Sequence, residues 1–210
     1  VIAGAKLEIA PGSVVRFAGK RGLWSNGVIE AVGSKDRRIL FTGLEKSDEV
    51  YWHQIMIENG AGKFVHCDFE SAYTAIHSHF SDLQVRSCTF RKNKNAMMFK
   101  GGPVDVRFSV FEKNSAAIVP NLGQGQVIGN HLVNNETGIL VRSEIDNGMI
   151  FRQNNIFDNS RYNLRMGDLN MGGDIDVREN WWGEDSPGKG IYDAQSTPGI
   201  GKAIFEPYAN

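Results

Sequence analysis

The chain has 210 residues, a formal net charge of −1, 41% hydrophobic residues, 24 glycines and 6 prolines. This is the profile of one ordered domain with a sizeable core, not of a collagenous or disordered chain. So small a net charge leaves no global footprint for nucleic acid, no run approaches the ~18 apolar residues of a membrane span, and no basic segment leads into an apolar one at the start.

In chain order, residues 1–62 are expected to form N-terminal turns, and residues 63–183 carry a repeat. Written beneath one another, "VHCDF", "RSCTF", "RFSVF", "GNHL", "NNIF" and "ENWW" place Cys67, Cys88, Ser109, Asn130, Asn155 and Asn180 in one column, at steps of 21, 21, 21, 25 and 25 residues. Two positions on stand Phe69, Phe90, Phe111, Leu132, Phe157 and Trp182; three further stand Ala72, Asn93, Asn114, Asn135 and Ser160. A last apolar column reads Ile76, Met97, Ile118, Ile139 and Leu164.

A period of this length fits a leucine-rich repeat or a β-coil. The segments alternate with period two and are rich in Val, Ile and Phe, with no helical face and few leucines, so strands win. Each repeat holds three short strands joined by bends and stacks on the next about 4.8 Å away. The predicted fold is all-β: a parallel β-helix of about eight turns, forming one domain over 1–210. Inward asparagines at the bends are expected to bond backbone groups that water cannot reach.

The last repeat ends in "VRENWWGEDSP". Trp182 falls in the phenylalanine column and is expected to point inward, with Trp181 outward. Residues 184–210 lose the spacing and are expected to form a partial turn and a cap, because an open solenoid end exposes strand edges.

These columns, the phrases "NNIFDN" and "NETGIL", and the closing "NWWG" resemble the right-handed parallel β-helix proteins of the pectate-lyase-like superfamily. They are especially similar to its secreted or periplasmic members, including those resembling the accessory factor of nitrous-oxide reductase maturation. The segment "LEIAPGSVVRFAGKRGLWSNGVIEAVGSKDRRILFTG" resembles the turns that open such coils. The resemblance implies a right-handed coil and an extracytoplasmic setting, but not one activity, since the fold hosts lyases, hydrolases, epimerases, adhesins and scaffolds. The chain starts at Val1 almost inside a turn, without the amphipathic helix that often covers that end, so preceding residues or a partner are expected there.

Lyases of this fold hold Ca²⁺ with clustered outward carboxylates and use Arg or Lys as base. The outward column Glu70, Arg91, Glu112 reads instead as a self-satisfying charge ladder. Asp168, Asp174 and Asp176 sit in or beside longer turns, where loops could gather them. No catalytic set, metal site or cofactor is expected. His77 with His79, and His66 with Asp68, carry ligand spacing for copper or zinc but no closing set. Cys67 and Cys88 stack one turn apart with parallel Cβ vectors, which favours buried thiols over a disulfide. Two cysteines in this arrangement do not fix the redox compartment.

Two surfaces stand out. Arg86 and Arg107 stack in one column and Lys92 and Lys113 in another, with Lys94 and Lys100 near, a strip suited to an acidic polysaccharide. Beside the last apolar column, Ala96, Met98, Ala117, Val119, Gly138 and Leu140 are expected to point out. The Met98, Val119, Leu140 stripe is then expected to be covered by the C-terminal tail, a protein partner or another copy. The leading expectation is a non-catalytic, extracytoplasmic interaction or structural module. The alternative is a domain that binds or modifies an acidic polysaccharide.

Overall fold

A computed structural model describes residues 1–45, 50–121, 123–143, 148–167, 169, 173–184 and 187–209. Among these residues, three parallel sheets wind together into a coil. The first sheet stacks Lys6–Ile9, Val28–Val32, Ala61–Val65, Asp82–Arg86, Pro103–Arg107, Gln124–Ile128 and Met149–Arg152. The second stacks Val14–Phe17, Ile39–Gly43, Cys67–Glu70, Thr89–Arg91, Val110–Glu112, His131–Val133 and Asn155–Phe157. The third runs from Leu23–Ser25 through Trp52–Glu58, Ala72–His79, Asn95–Lys100, Ala116–Asn121, Thr137–Val141 and Tyr162–Met166 to Ile191–Tyr192. The first three-strand turn begins at Lys6 and the seventh ends at Met166, so the expected solenoid of about eight turns is seven complete turns and a partial closing one.

Bends form where single residues adopt positive φ. Between the first and second sheets these are His66, Ser87, Phe108, Gly129, Gln153 and Glu179; between the second and third they are Ser71, Lys92, Lys113, Asn134 and Asp158. In both bends the next residue points inward and carries a polar ladder. Along the first bend, each backbone N–H donates to the side chain one turn on: Cys67 to Cys88 Sγ (3.4 Å), Cys88 to Ser109 Oγ (3.1 Å), Ser109 to Asn130 Oδ1 (2.9 Å), Asn130 to Asn154 Oδ1 (2.9 Å) and Asn154 to Asn180 Oδ1 (2.9 Å). Along the second, Ala72, Asn93, Asn114 and Asn135 donate to Asn93, Asn114, Asn135 and Asn159 in turn, at 2.9–3.0 Å. Buried backbone groups are thereby satisfied without water.

Three columns shift by one residue against the sequence reading. Asn154, not Asn155, holds the first ladder; Ile156, not Phe157, pairs with Leu132 and is fully buried; Asn159, not Ser160, holds the second ladder. The steps are therefore 24 and 26 residues rather than 25 and 25, because the positive-φ residues Gln153 and Asp158 set where the inward residue falls.

The core is a set of stacks. Phe41, Phe69, Phe90 and Phe111 lie ring over ring, with centroids 4.7–4.8 Å apart and planes within 6°. Leu132, Ile156 and Trp182 continue the column, and Trp182 is 3% exposed, inward as expected. The Ile76, Met97, Ile118, Ile139, Leu164 column is in register and fully buried. The tail closes the C-terminal end: Ile175, Val177 and Glu179 donate their backbone N–H groups to the carbonyls of Lys202, Ile204 and Pro207, and Ala209 donates to Asn180.

Candidate functional site

The predicted charged residues are partly spoken for. Arg86 and Arg107 stack as expected, but both pair with one carboxylate, Asp105, at 2.7 and 2.6 Å. Burial works against that carboxylate, yet the hydrogen bonds from Arg107 and Arg86 outweigh it and hold Asp105 below the usual range. Arg91 lies in register with Glu70 and Glu112 and bonds Glu112, as a surface charge ladder does. Asp174 accepts the backbone N–H of Lys202, and Asp176 is held well below the usual carboxylate range by Arg178 and, against burial, by Arg152. Asp168 lies outside the described residues.

Asp68 receives Arg38 in a two-pronged contact at 2.8–3.0 Å, with His66 Nδ1 3.5 Å from the same guanidinium. Among the described residues, no three His, Cys, Asp or Glu side chains gather to hold a metal ion. Cys67 and Cys88 are free, buried thiols that serve as ladder rungs; the hydrogen bond with Cys88, together with burial, pushes the Cys67 thiol up.

His77 and His79 meet edge to face, 4.6 Å between centroids. Burial pushes His77 down to about 4, with repulsion from His79, His53 and Arg142 added. The unfolded chain takes up this proton near pH 6.5, and the folded one resists it until about pH 4. Stability from this group is therefore intact above pH 6.5 and falls as the pH drops towards 4, by roughly 2 kcal/mol after allowance for solvent screening. Urea unfolding of wild type and His77→Gln across this range should show a shallower pH slope in the variant; equal slopes would refute the assignment.

The expected apolar stripe divides. Met98 and Leu140 are half-buried, and Val119 is only 1% exposed within this chain. The C-terminal tail pairs its backbone with residues 174–180. Ala96 and Ala117 do not point out: they are fully buried in the core with Ala75, and a Cβ on Gly138 would strike Asn163 O at 2.6 Å. The register shifts between Gln54 and Ile55, so that Asn95, Ala96 and Met97 are buried in succession and strict alternation fails there.

Sequence reasoning missed an aromatic row on the early turns. Trp24 stacks on His53 (5.3 Å between centroids, 23°), His53 on Tyr73 (6.2 Å, 30°), and Lys94 Nζ lies 4.9 Å over the Tyr73 ring. Trp24 and Tyr73 are 50% and 45% exposed. Rings stacked in this way turn their edges, the positive part of the ring quadrupole, away from the row. Together with Lys20, Val50 and Tyr51 they border a groove of about 740 Å³. Tyr51 also borders an adjoining hollow of about 260 Å³ formed with Ser71, Lys92, Asn93, Lys113 and Ser115. Lys92, Lys94 and Lys113 thus join an aromatic groove. No carboxylate is among the described residues lining either space. Trp24, His53 and Tyr73 lie 29 and 20 residues apart, off the 21-residue step, so no repeat column exposed them.

Three parallel sheets around stacked phenylalanines and two polar ladders, with a lateral groove, define a parallel β-solenoid protein. Residues 42–196, about three quarters of the chain, match the right-handed β-helix region family, and the chain belongs to it. This agrees with the pectate-lyase-like resemblance read from the sequence. No curated protein and no solved structure matches the chain. Among the described residues, no helix is long and apolar enough to cross a membrane.

Proposed function

We propose that this chain is a non-catalytic, extracytoplasmic binding module that holds an acidic polysaccharide along the Trp24–Tyr73 row and the adjoining lysines. The observation that carries this reading is the continuity of the groove: the positive ring edges of the Trp24–Tyr73 row, suited to sugar hydroxyl and carboxylate oxygens, run into Lys92, Lys94 and Lys113, and none of the described lining residues is a carboxylate. A rigid row of cations matches repeated carboxylates and attracts them at long range. The extracytoplasmic setting draws support from the β-helix family, whose members are often extracellular. A protein contact through Met98, Val119 and Leu140 is less well supported, because Val119 has almost no surface left to give.

The test is binding of polygalacturonate and alginate, with dextran as the neutral control. Affinity for the two anions should fall steeply with salt, since exposed charges are screened over about 8 Å at physiological ionic strength. Lys92→Glu with Lys113→Glu should abolish binding, and Trp24→Ala should weaken it roughly tenfold, about 1.4 kcal/mol. Arg86→Glu with Arg107→Glu should do much less, because Asp105 already neutralises part of that pair. Binding that ignores salt, or survives the double lysine reversal, would remove the groove from consideration.

A further inference from the structure

The asparagine ladder of the second bend is a row of side-chain amides that all point one way. Asn93, Asn114, Asn135 and Asn159 each donate from Nδ2 to the Oδ1 of the next rung, which is Asn114, Asn135, Asn159 and finally Asn163, at 2.9–3.0 Å. Each of these four also donates from Nδ2 to a backbone carbonyl, that of Phe69, Phe90, Phe111 or Leu132. Aligned hydrogen bonds in a low-dielectric interior polarise one another, so the last amide presents the donor end of the whole row.

The ladder of the first bend ends inside the protein, where Asn180 Nδ2 donates to the carbonyls of Phe151, Val177 and Arg178 at 2.7–3.1 Å. The second ends differently. Asn163 Oδ1 accepts from the backbone N–H and the Nδ2 of Asn159, at 3.4 and 2.9 Å, but among the described residues nothing accepts from Asn163 Nδ2. Asn163 is half-buried and lines a groove of about 680 Å³. Gly190 lines the same groove, and a Cβ there would come within 2.6 Å of Asn163 Nδ2, so the amide sits at this wall and a bare glycine leaves it uncovered.

The other walls narrow the ligand. Trp181 and Phe157 meet edge to face at 4.6 Å and form an apolar side. The charged lining residues balance, Asp158 and Glu184 against Arg161 and Lys189, so a full anion gains nothing over a neutral acceptor. A carbonyl for the amide, an N–H for a lining carboxylate and a small apolar group for the aromatic wall are together the parts of an acetamido group.

We propose that this groove binds an N-acetylated amino sugar, whose acetamido carbonyl accepts from Asn163 Nδ2 while its methyl and ring C–H groups lie against Trp181 and Phe157. The site lies at the other end of the coil from the Trp24 groove and does not depend on it.

The experiment follows the side-chain amide signals of ¹⁵N-labelled protein during titration with N-acetylglucosamine and N-acetylgalactosamine at millimolar concentration, with glucose and galactose as controls. The Asn163 pair, assigned in the wild type through its own Cβ, should shift with at least one acetylated sugar and stay in place with both controls. N163D keeps the oxygen that Asn159 uses and replaces the donor with a second acceptor, so it should bind that sugar at least tenfold more weakly. W181A, at a partly exposed position, should weaken binding as well. An Asn163 signal unmoved by both acetylated sugars would overturn the proposal, and this titration decides the matter even where N163D does not fold. Equal shifts with the controls would also overturn it, since the acetamido group would then not be what the groove reads, and so would unchanged affinity in folded N163D or W181A.

Discussion

Asn114→Leu is expected to leave the chain unable to hold its native coil. The Asn114 side chain accepts from the backbone N–H and the Nδ2 of Asn93, and donates to Phe90 O and Asn135 Oδ1, all at 2.9–3.0 Å. Leucine fills the space but removes four buried hydrogen bonds; Asn93 Nδ2 and Asn135 Oδ1 keep one partner each, in Phe69 O and the Asn114 N–H, while the Asn93 backbone N–H loses its acceptor. At about 1–3 kcal/mol for each group left unsatisfied, the loss is a large share of the stability of a typical domain. Asn130→Ser is the informative contrast. Serine already serves one rung earlier, where Ser109 Oγ accepts from Cys88 and donates to Arg107 O. That variant should fold with about half the loss of Asn130→Leu. Circular dichroism and denaturant midpoints would decide the matter, and a well-folded Asn114→Leu protein would show that the ladder contributes little.

The second large effect is expected at the phenylalanine stack. Phe90 is fully buried, with Phe69 and Phe111 rings 4.7 Å away on either side. Phe90→Ala removes the buried ring and leaves a cavity between two others, a loss of about 3–5 kcal/mol. Phe90→Leu should cost much less, because the column itself changes to Leu132 two turns later without breaking register. An alanine variant within about 1 kcal/mol of wild type would mean the stack is not a tight column.

Much of this architecture was legible because a parallel coil writes its cross-section into the sequence at fixed steps. Phe69, Phe90 and Phe111, or Asn93, Asn114 and Asn135, stand 21 apart because each turn must present the same group to the same place. Legibility failed where neighbours share chemistry. Asn154 and Asn155 are alike, as are Ile156 and Phe157 in hydropathy, so a one-residue slip kept every column plausible; only the backbone angle at Gln153 decides between them. The Ala96 and Ala117 row was misread because alternation was carried through a strand irregularity, the register shift at Gln54/Ile55, that puts an extra residue, Ala75, into the next turn. Asp105 was visible all along, two residues before Arg107 and on the same face of its strand, and should have been read as the arginines' shared partner. The aromatic groove was illegible for another reason: its rings meet through side-chain reach across turns of unequal length, which spacing does not encode.

The two ladders also point one way. From Ala72 to Asn135 and from Cys67 to Asn154, each ladder N–H finds its acceptor on the turn that follows it in sequence: Ala72 on Asn93, Asn93 on Asn114, and Cys88 on Ser109. During synthesis, then, no turn is finished when its own residues have appeared. It waits for one more, and at about 5–20 residues per second that wait is on the order of 1–5 s for turns of this length. The growing chain always carries one incomplete rung at its leading edge, a sticky template that its own next segment must reach before another molecule does.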